Sequence, residues 1–223
     1  EKCLPLTEPI LLSSLQKLIA SKKIDETSRL LFVDDGSKDR TWELIESFHK
    51  ENPLVCGVKL SRNKGHQYAL FAGLSIACPL SDATVSIDAD LQDDVAAIKQ
   101  MVDEWQKGND VVYGVRESRK SDSFFKRFSA EAFYKILAAM GVEVVYNHAD
   151  FRLLSKRALS SLLRYQETNL FLRGIIPQLG YPSSKVYYSR KAREAGYSHY
   201  PLSKMLALAW NGITSNSEKP LHW

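Results

Sequence analysis

The sequence predicts an α/β layered domain whose central sheet is mainly parallel and flanked by helices. Three observations carry this. Short apolar runs alternate with helical spacings through the first half of the chain. Polar residues end each run abruptly. Acids or arginines follow four of the runs directly, at the sheet edge where such folds bind ligands.

Leu30-Leu31-Phe32-Val33 reads as the first strand, ended by Asp34-Asp35-Gly36-Ser37, and residues 41–50 carry helical spacing in Trp42, Ile45 and Phe48. A second strand over 54–60 leads into Ser61-Arg62-Asn63-Lys64-Gly65 and a small-residue helix over 67–77. The third strand, over 83–87, delivers Asp88-Ala89-Asp90-Leu91-Gln92-Asp93. An amphipathic helix over 94–107 lines up Val95, Ile98, Val102 and Trp105 and stops at Gly108. A fourth strand, over 110–113, leads to Arg116.

With 223 residues, 44% of them hydrophobic and 25% charged, the chain is one large globular domain or one domain with an appendage. Its net charge of +4 is too small to argue for nucleic acid. Cys3, Cys56 and Cys78 are odd in number and lack CxxC spacing, which fits a reducing compartment and gives no metal site. No apolar run reaches the length of about 18 residues that suggests a membrane span.

Asp88-x-Asp90 carries the clearest chemistry. In an extended segment Asp88, Asp90 and Gln92 share a face and offer only oxygen ligands, which suits a hard divalent ion holding a diphosphate. Taken alone, the same residues also read as an acidic turn capping the next helix. Asp34-Asp35-Gly36 likewise makes a tight turn unaided. His66 has no partner that sequence identifies, so it is expected to be a surface histidine.

Beyond Arg116 the character changes. Arg119, Lys120, Lys126 and Arg127 crowd a short stretch, and an apolar helix is expected over 124–140, closed by Gly141. A second basic group, Lys185, Arg190, Lys191 and Arg193, precedes an apolar helix over 202–213. These helices suit either a core or a membrane surface, the latter favoured by the flanking cations.

Val33-Asp34-Asp35-Gly36-Ser37, Leu60-Ser61-Arg62-Asn63-x-Gly65, Asp88-Ala89-Asp90-Leu91-Gln92-Asp93 and Asp110-Val111-Val112-Tyr113-Gly114-x-Arg116 follow one another in order. In this the chain resembles family 2 glycosyltransferases. Ala149-Asp150-Phe151-Arg152, Glu167-x-Asn169-x-Phe171-x-Arg173-Gly174 and Arg190-x-x-Arg193-x-x-Gly196-x-Ser198-x-Tyr200 narrow the likeness. It is similar to the polyisoprenyl-phosphate glycosyltransferases, the group of dolichyl-phosphate mannose synthase and bactoprenol glucosyltransferase. The resemblance runs from about residue 28 to residue 221.

That resemblance implies a GT-A, Rossmann-like domain, expected over 1–180, and a helical, basic, membrane-proximal extension over 181–223. It implies a UDP- or GDP-sugar donor, Mg²⁺ or Mn²⁺, and a polyprenyl-phosphate acceptor such as undecaprenyl phosphate, used in cell-envelope glycan assembly. Asp34, Asp35 and Asp88 match donor positions, and Asp88, Asp90 and Gln92 match the metal site. Arg62 and Asn63, on the same edge, are expected either to steady the donor or to serve as cap or core-edge residues. Arg116, Lys126, Arg127 and Ser129 match the region that binds the lipid phosphate. Arg190 and Arg193 match a basic group near the diphosphate or the membrane. Asp150 matches the family's candidate catalytic carboxylate, with Arg116 beside it at the reacting centre. Asp150 has an alternative role in orienting Arg152, because a phosphate acceptor is already mostly dianionic at neutral pH.

Relatives open with a strand that is absent here, Glu1 being its expected last remnant, and many continue into hydrophobic helices past the position of Leu221. Both are expected to be missing sequence. The expected location is the cytoplasmic face of the cell membrane, with no nucleic-acid partner and a homo-oligomer left open. Competing readings are a family 2 enzyme acting on a sugar hydroxyl, a nucleotidyltransferase and a non-catalytic nucleotide-sugar-binding subunit. Glucose is the first expectation for the sugar.

Overall fold

A helix that the spacing does not announce comes first. In α1 (Leu4–Ala20), Pro5 occupies the first turn, where a missing N–H costs nothing, and Pro9 lies further inside. The two prolines hide a repeat of seven, Leu4, Leu11 and Leu18, that puts one buried side chain on the same face every second turn. The computed structural model describes residues 1–117, 148–165 and 170–189. The helices expected over 124–140 and 202–213, with Lys126, Arg127, Ser129, Arg190 and Arg193, lie outside the described residues.

The predicted alternation follows as β1 (Leu30–Asp34), α2 (Thr41–Glu51), β2 (Val55–Lys59), α3 (His66–Ala77), β3 (Ala83–Ser86), α4 (Ala97–Gln106) and β4 (Val111–Arg116). Then come β5 (His148–Ser155), α5 (Lys156–Leu162), α6 (Leu172–Gln178) and β6 (Ser183–Tyr188). Ser155 caps α5, its hydroxyl accepting the Ala158 N–H at 3.1 Å.

The sheet departs from the mainly parallel expectation. β1 and β2 pair in parallel from Leu30↔Val55 to Asp34↔Lys59. The other sheet has the order β3-β5-β4-β6, and β5 runs antiparallel to both β3 and β4. Sequence order alone hides this insertion, because β5 lies more than thirty positions beyond β4. β6 joins β4 in parallel, so the sheet continues to Tyr188, past the expected boundary at 180/181.

Alternation along β4 sends side chains to both faces. Val111, Tyr113 and Val115 meet Leu154, Leu159, Leu162, Leu172 and Ile175 on one side. Val112 meets Phe151, Leu153, Met101 and Val186 on the other. Gly114 sits at a register shift in the β4–β5 ladder, where a Cβ would meet the Phe151 carbonyl oxygen at 2.8 Å. A separate cluster of Leu4, Phe32, Ile45 and Val55 joins α1, β1, α2 and β2.

β1 and β3 are both edge strands, and a cleft of ≈ 2790 Å³ runs along them under α1 and α3. Asp34, Asp88, Asp90, Gln92, Arg116, Asp150 and Arg173 all line it.

Candidate active site

The cleft wall beside β1 is built by two acids with different tasks. Asp34, the last residue of β1, is only 2% exposed. Its Oδ1 accepts the Ser37 N–H at 3.0 Å, whereas its buried Oδ2 meets no partner among the described residues. A buried carboxylate oxygen left in this condition is costly and suits a ligand hydroxyl or N–H. Asp35 instead accepts the Lys64 and Gly65 N–H groups at 2.7 and 2.8 Å, fixing the loop that begins α3. Its remaining lone pairs stay open to a donor.

Gly36 makes that loop fit. Its φ is +67°, and a Cβ would lie 2.5 Å from the Arg62 carbonyl carbon and 2.7 Å from the Asn63 nitrogen. Arg62 and Asn63 thus press their backbone on the Asp-Gly turn, while both residues are exposed and stand apart from the cleft lining.

The acidic loop is not the extended segment expected. β3 ends at Ser86 and the chain turns over 89–90, so alternation does not set a common face for Asp88, Asp90 and Gln92. Asp90 Oδ1 accepts the Gln92 N–H at 3.1 Å, and Leu91, at φ +57°, reverses the chain while burying its side chain. A leucine in the left-handed region is uncommon and strained. Thr7, fully buried in α1, donates its hydroxyl to the Ala89 carbonyl at 2.7 Å and also lies 2.9 Å from Cys3 O.

Burial pushes the Asp88 carboxyl up; His66 opposes this, while Asp150, Asp93 and Asp90 add to it. A hard divalent cation would relieve that accumulation of negative charge. Asp88, Asp90 and the Gln92 amide supply oxygen donors, the set that Mg²⁺ or Mn²⁺ accepts beside substrate phosphates. Among the described residues no group of three His, Cys, Asp or Glu side chains is arranged to hold a metal by itself.

Asp150 joins three elements. Its carboxylate accepts from Arg152 Nη2, from Arg173 Nε and Nη2 at 3.3 and 3.0 Å, and from Gln67 Nε2 at 3.5 Å. Gln67 in turn accepts the Leu172 N–H at 3.2 Å, and Ser86 donates its hydroxyl to the Asp150 carbonyl at 2.7 Å. Burial works to raise the Asp150 carboxyl, but Arg173 and Arg152, then hydrogen bonds from His66 and Arg173, hold it well below its ordinary range. His66 is not an isolated surface residue. Its Nε2 lies 3.2 Å from Asp150 Oδ2 and 3.9 Å from Asp88 Oδ1. The bond to Asp150 raises the imidazole above its ordinary value against the opposing pull of burial.

Arg116 ends β4 with its guanidinium Nη2 3.3 Å from Asp93 Oδ1, which also accepts the Tyr188 hydroxyl at 2.5 Å. Arg116 Nε lies 3.4 Å from that hydroxyl. Burial opposes the charge of Arg116, and Asp93 and Tyr188 more than compensate.

The structure therefore lines one cleft with Asp34, Asp35, Asp88, Asp90, Gln92, Arg116 and Asp150 from the sequence reading. It adds His66, Gln67 and Arg173 to the lining, with Asp93 and Tyr188 held against Arg116, residues to which that reading gave no role. For His66 the available signal was its place directly after Gly65, at the same predicted sheet edge.

Residues 7–163 match the model of glycosyl transferase family 2. The chain belongs to that family. This glycosyltransferase is 54% identical over 206 residues to uncharacterized glycosyltransferase YkoT of Bacillus subtilis (strain 168), covering 92% of this chain and 61% of that protein. It is 39% identical over 193 residues to the bactoprenol glucosyl transferase of Shigella phage SfV, covering 86% of this chain and 62% of that protein. The chain thus spans about three fifths of the length of the curated relatives it matches. Family membership fits a GT-A-like fold of helices packed on sheets. Among the described residues no helix of this glycosyltransferase is long and apolar enough to cross a membrane.

Proposed function

We propose that this glycosyltransferase moves a hexose, glucose first among the candidates, from a UDP- or GDP-sugar to a polyprenyl phosphate at the cytoplasmic face of a membrane. The observation that carries this reading is a single cleft lined by both acids and cations. Asp88, Asp90 and Gln92 line it together with Arg116 and Arg173. Relatives named as bactoprenol glucosyl transferases support the lipid acceptor.

In this reading Asp34 and Asp35 take the nucleoside, Asp34 through its buried Oδ2. Asp88, Asp90 and Gln92 hold the divalent ion, which when bound offsets the charge growing on the leaving diphosphate. Arg116 holds the acceptor phosphate in line, where a planar guanidinium gives two parallel charged hydrogen bonds. One acceptor-phosphate oxygen forms a bond to the anomeric carbon as the bond from that carbon to the nucleoside diphosphate breaks. That single displacement inverts the anomeric configuration.

Asp150 serves this reaction as an organiser. A carboxylate held well below its ordinary range is a weak proton acceptor, and a phosphate dianion needs none. This favours a phosphate acceptor over a sugar hydroxyl, which requires a base.

The test offers UDP- and GDP-sugars with undecaprenyl phosphate to the purified protein, with and without EDTA. Sugar appearing on the lipid phosphate, lost with EDTA and in Asp90→Ala, is the expected result. Transfer that survives both treatments would remove the metal assignment. Transfer to a glycan hydroxyl alone would remove the lipid one.

A further inference from the structure

We propose that Asp93 and Tyr188 are positioning residues, which hold the Arg116 guanidinium in place for the acceptor phosphate. The inference rests on the lipid-phosphate reading above and adds two residues to it.

The three side chains form a closed triangle. Tyr188 donates to Asp93 Oδ1 at 2.5 Å, Arg116 Nη2 donates to the same oxygen at 3.3 Å, and Arg116 Nε donates to the phenol at 3.4 Å. Asp93 and Tyr188 are 2% and 3% exposed, whereas the Arg116 side chain keeps 23% exposure at the cleft wall. Two interior groups are thus spent on one cation at the surface of the cleft. Core packing alone does not call for this, since an apolar pair fills such space without the cost of removing a carboxylate from water. An arginine otherwise free to choose among rotamers binds a phosphate more weakly by the entropy of ordering it.

The surroundings fix the triangle from two directions. The Tyr188 ring meets Phe151 edge-on, with centroids 5.3 Å apart and planes at 78°, so its hydroxyl direction is set by the core. Asp93 lies three residues past Asp90 on the acidic loop. One loop therefore carries both the proposed metal ligands and the anchor of the acceptor's cation.

Tyr188→Phe removes the hydroxyl and keeps the ring, so it tests the role without emptying the core. Steady-state transfer from UDP-glucose to undecaprenyl phosphate is measured with each substrate varied. The acceptor KM should rise about tenfold, the loss typical of one hydrogen bond to a charged group, while the donor KM stays unchanged. Arg116→Lys, which keeps the charge and loses the fork, should show the same split. The double variant should be no worse than Arg116→Lys alone, because Tyr188 acts through Arg116. An unchanged acceptor KM in Tyr188→Phe, an equal rise in both KM values, or multiplying effects in the double variant would each overturn the inference while leaving the lipid-phosphate reading standing. A wild-type protein that glycosylates no lipid phosphate would overturn both.

Discussion

Arg173 holds Asp150 side-on, Nε to Oδ1 at 3.3 Å and Nη2 to Oδ2 at 3.0 Å. Beneath that pair Arg152, only 1% exposed, binds the same carboxylate. One acid thus balances a buried and a half-buried cation, which makes it a keystone of the fold as well as of the cleft.

Asp150→Asn should therefore unfold the protein more readily. The variant leaves Arg152 buried without its counter-charge, a change that costs about 3–5 kcal/mol in comparable cases. Urea denaturation followed by circular dichroism measures this. Arg173→Lys, at a side chain 29% exposed, should lose far less stability and still lose most of its transfer rate.

The same carboxylate sets an acid limit. Its value in the folded protein lies well below the ordinary 3.8, so its contribution is complete above pH 3.8 and is lost as pH falls through the folded value. Asp110, held down by hydrogen bonds from Arg157 and then Ser155, acts in the same direction. Melting temperatures should therefore fall at the acid end of the range between pH 3 and pH 7, while His66, held above its ordinary 6.5, contributes stability that is lost as pH rises through its folded value. In Asp110→Asn the fall on the acid side should be shallower.

Gly36→Ala should move the donor side of the cleft. The new Cβ meets backbone atoms of Arg62 and Asn63, and its φ of +67° disfavours alanine in any case. The expected cost is about 1–3 kcal/mol. Since Asp35 holds Lys64 and Gly65, the shift should also raise the donor KM, measurable by titrating the nucleotide sugar.

Much of this arrangement is readable from the sequence, and the rest has identifiable reasons for being hidden. β1, β2, β3 and β4 announce themselves because each apolar run is short and ends in acids or in Arg116. β5 does not, because Arg152 interrupts its apolar pattern, and the ion pair with Asp150 offsets the cost of that buried charge. Asp88 and Asp90 line one cleft, but the left-handed Leu91 makes their loop a turn rather than the extended row that local spacing suggests. What His66 and Tyr188 bind was beyond reach for a different reason. Their partners lie 84 and 95 positions away, and no local pattern encodes such distances.

Thr7→Val offers the most discriminating test of how α1 serves the cleft. The substitution keeps the shape of a side chain with no exposure and removes a hydroxyl that lies 2.7 Å from the Ala89 carbonyl. Losing that bond should cost about 1–2 kcal/mol, and the loss falls on the loop between Asp88 and Asp90. If α1 steadies that loop, the concentration of Mn²⁺ needed for half-maximal transfer should rise several-fold, with the acceptor KM unchanged. A variant that loses stability and keeps the Mn²⁺ dependence of the wild type would show that Thr7 supports the fold alone.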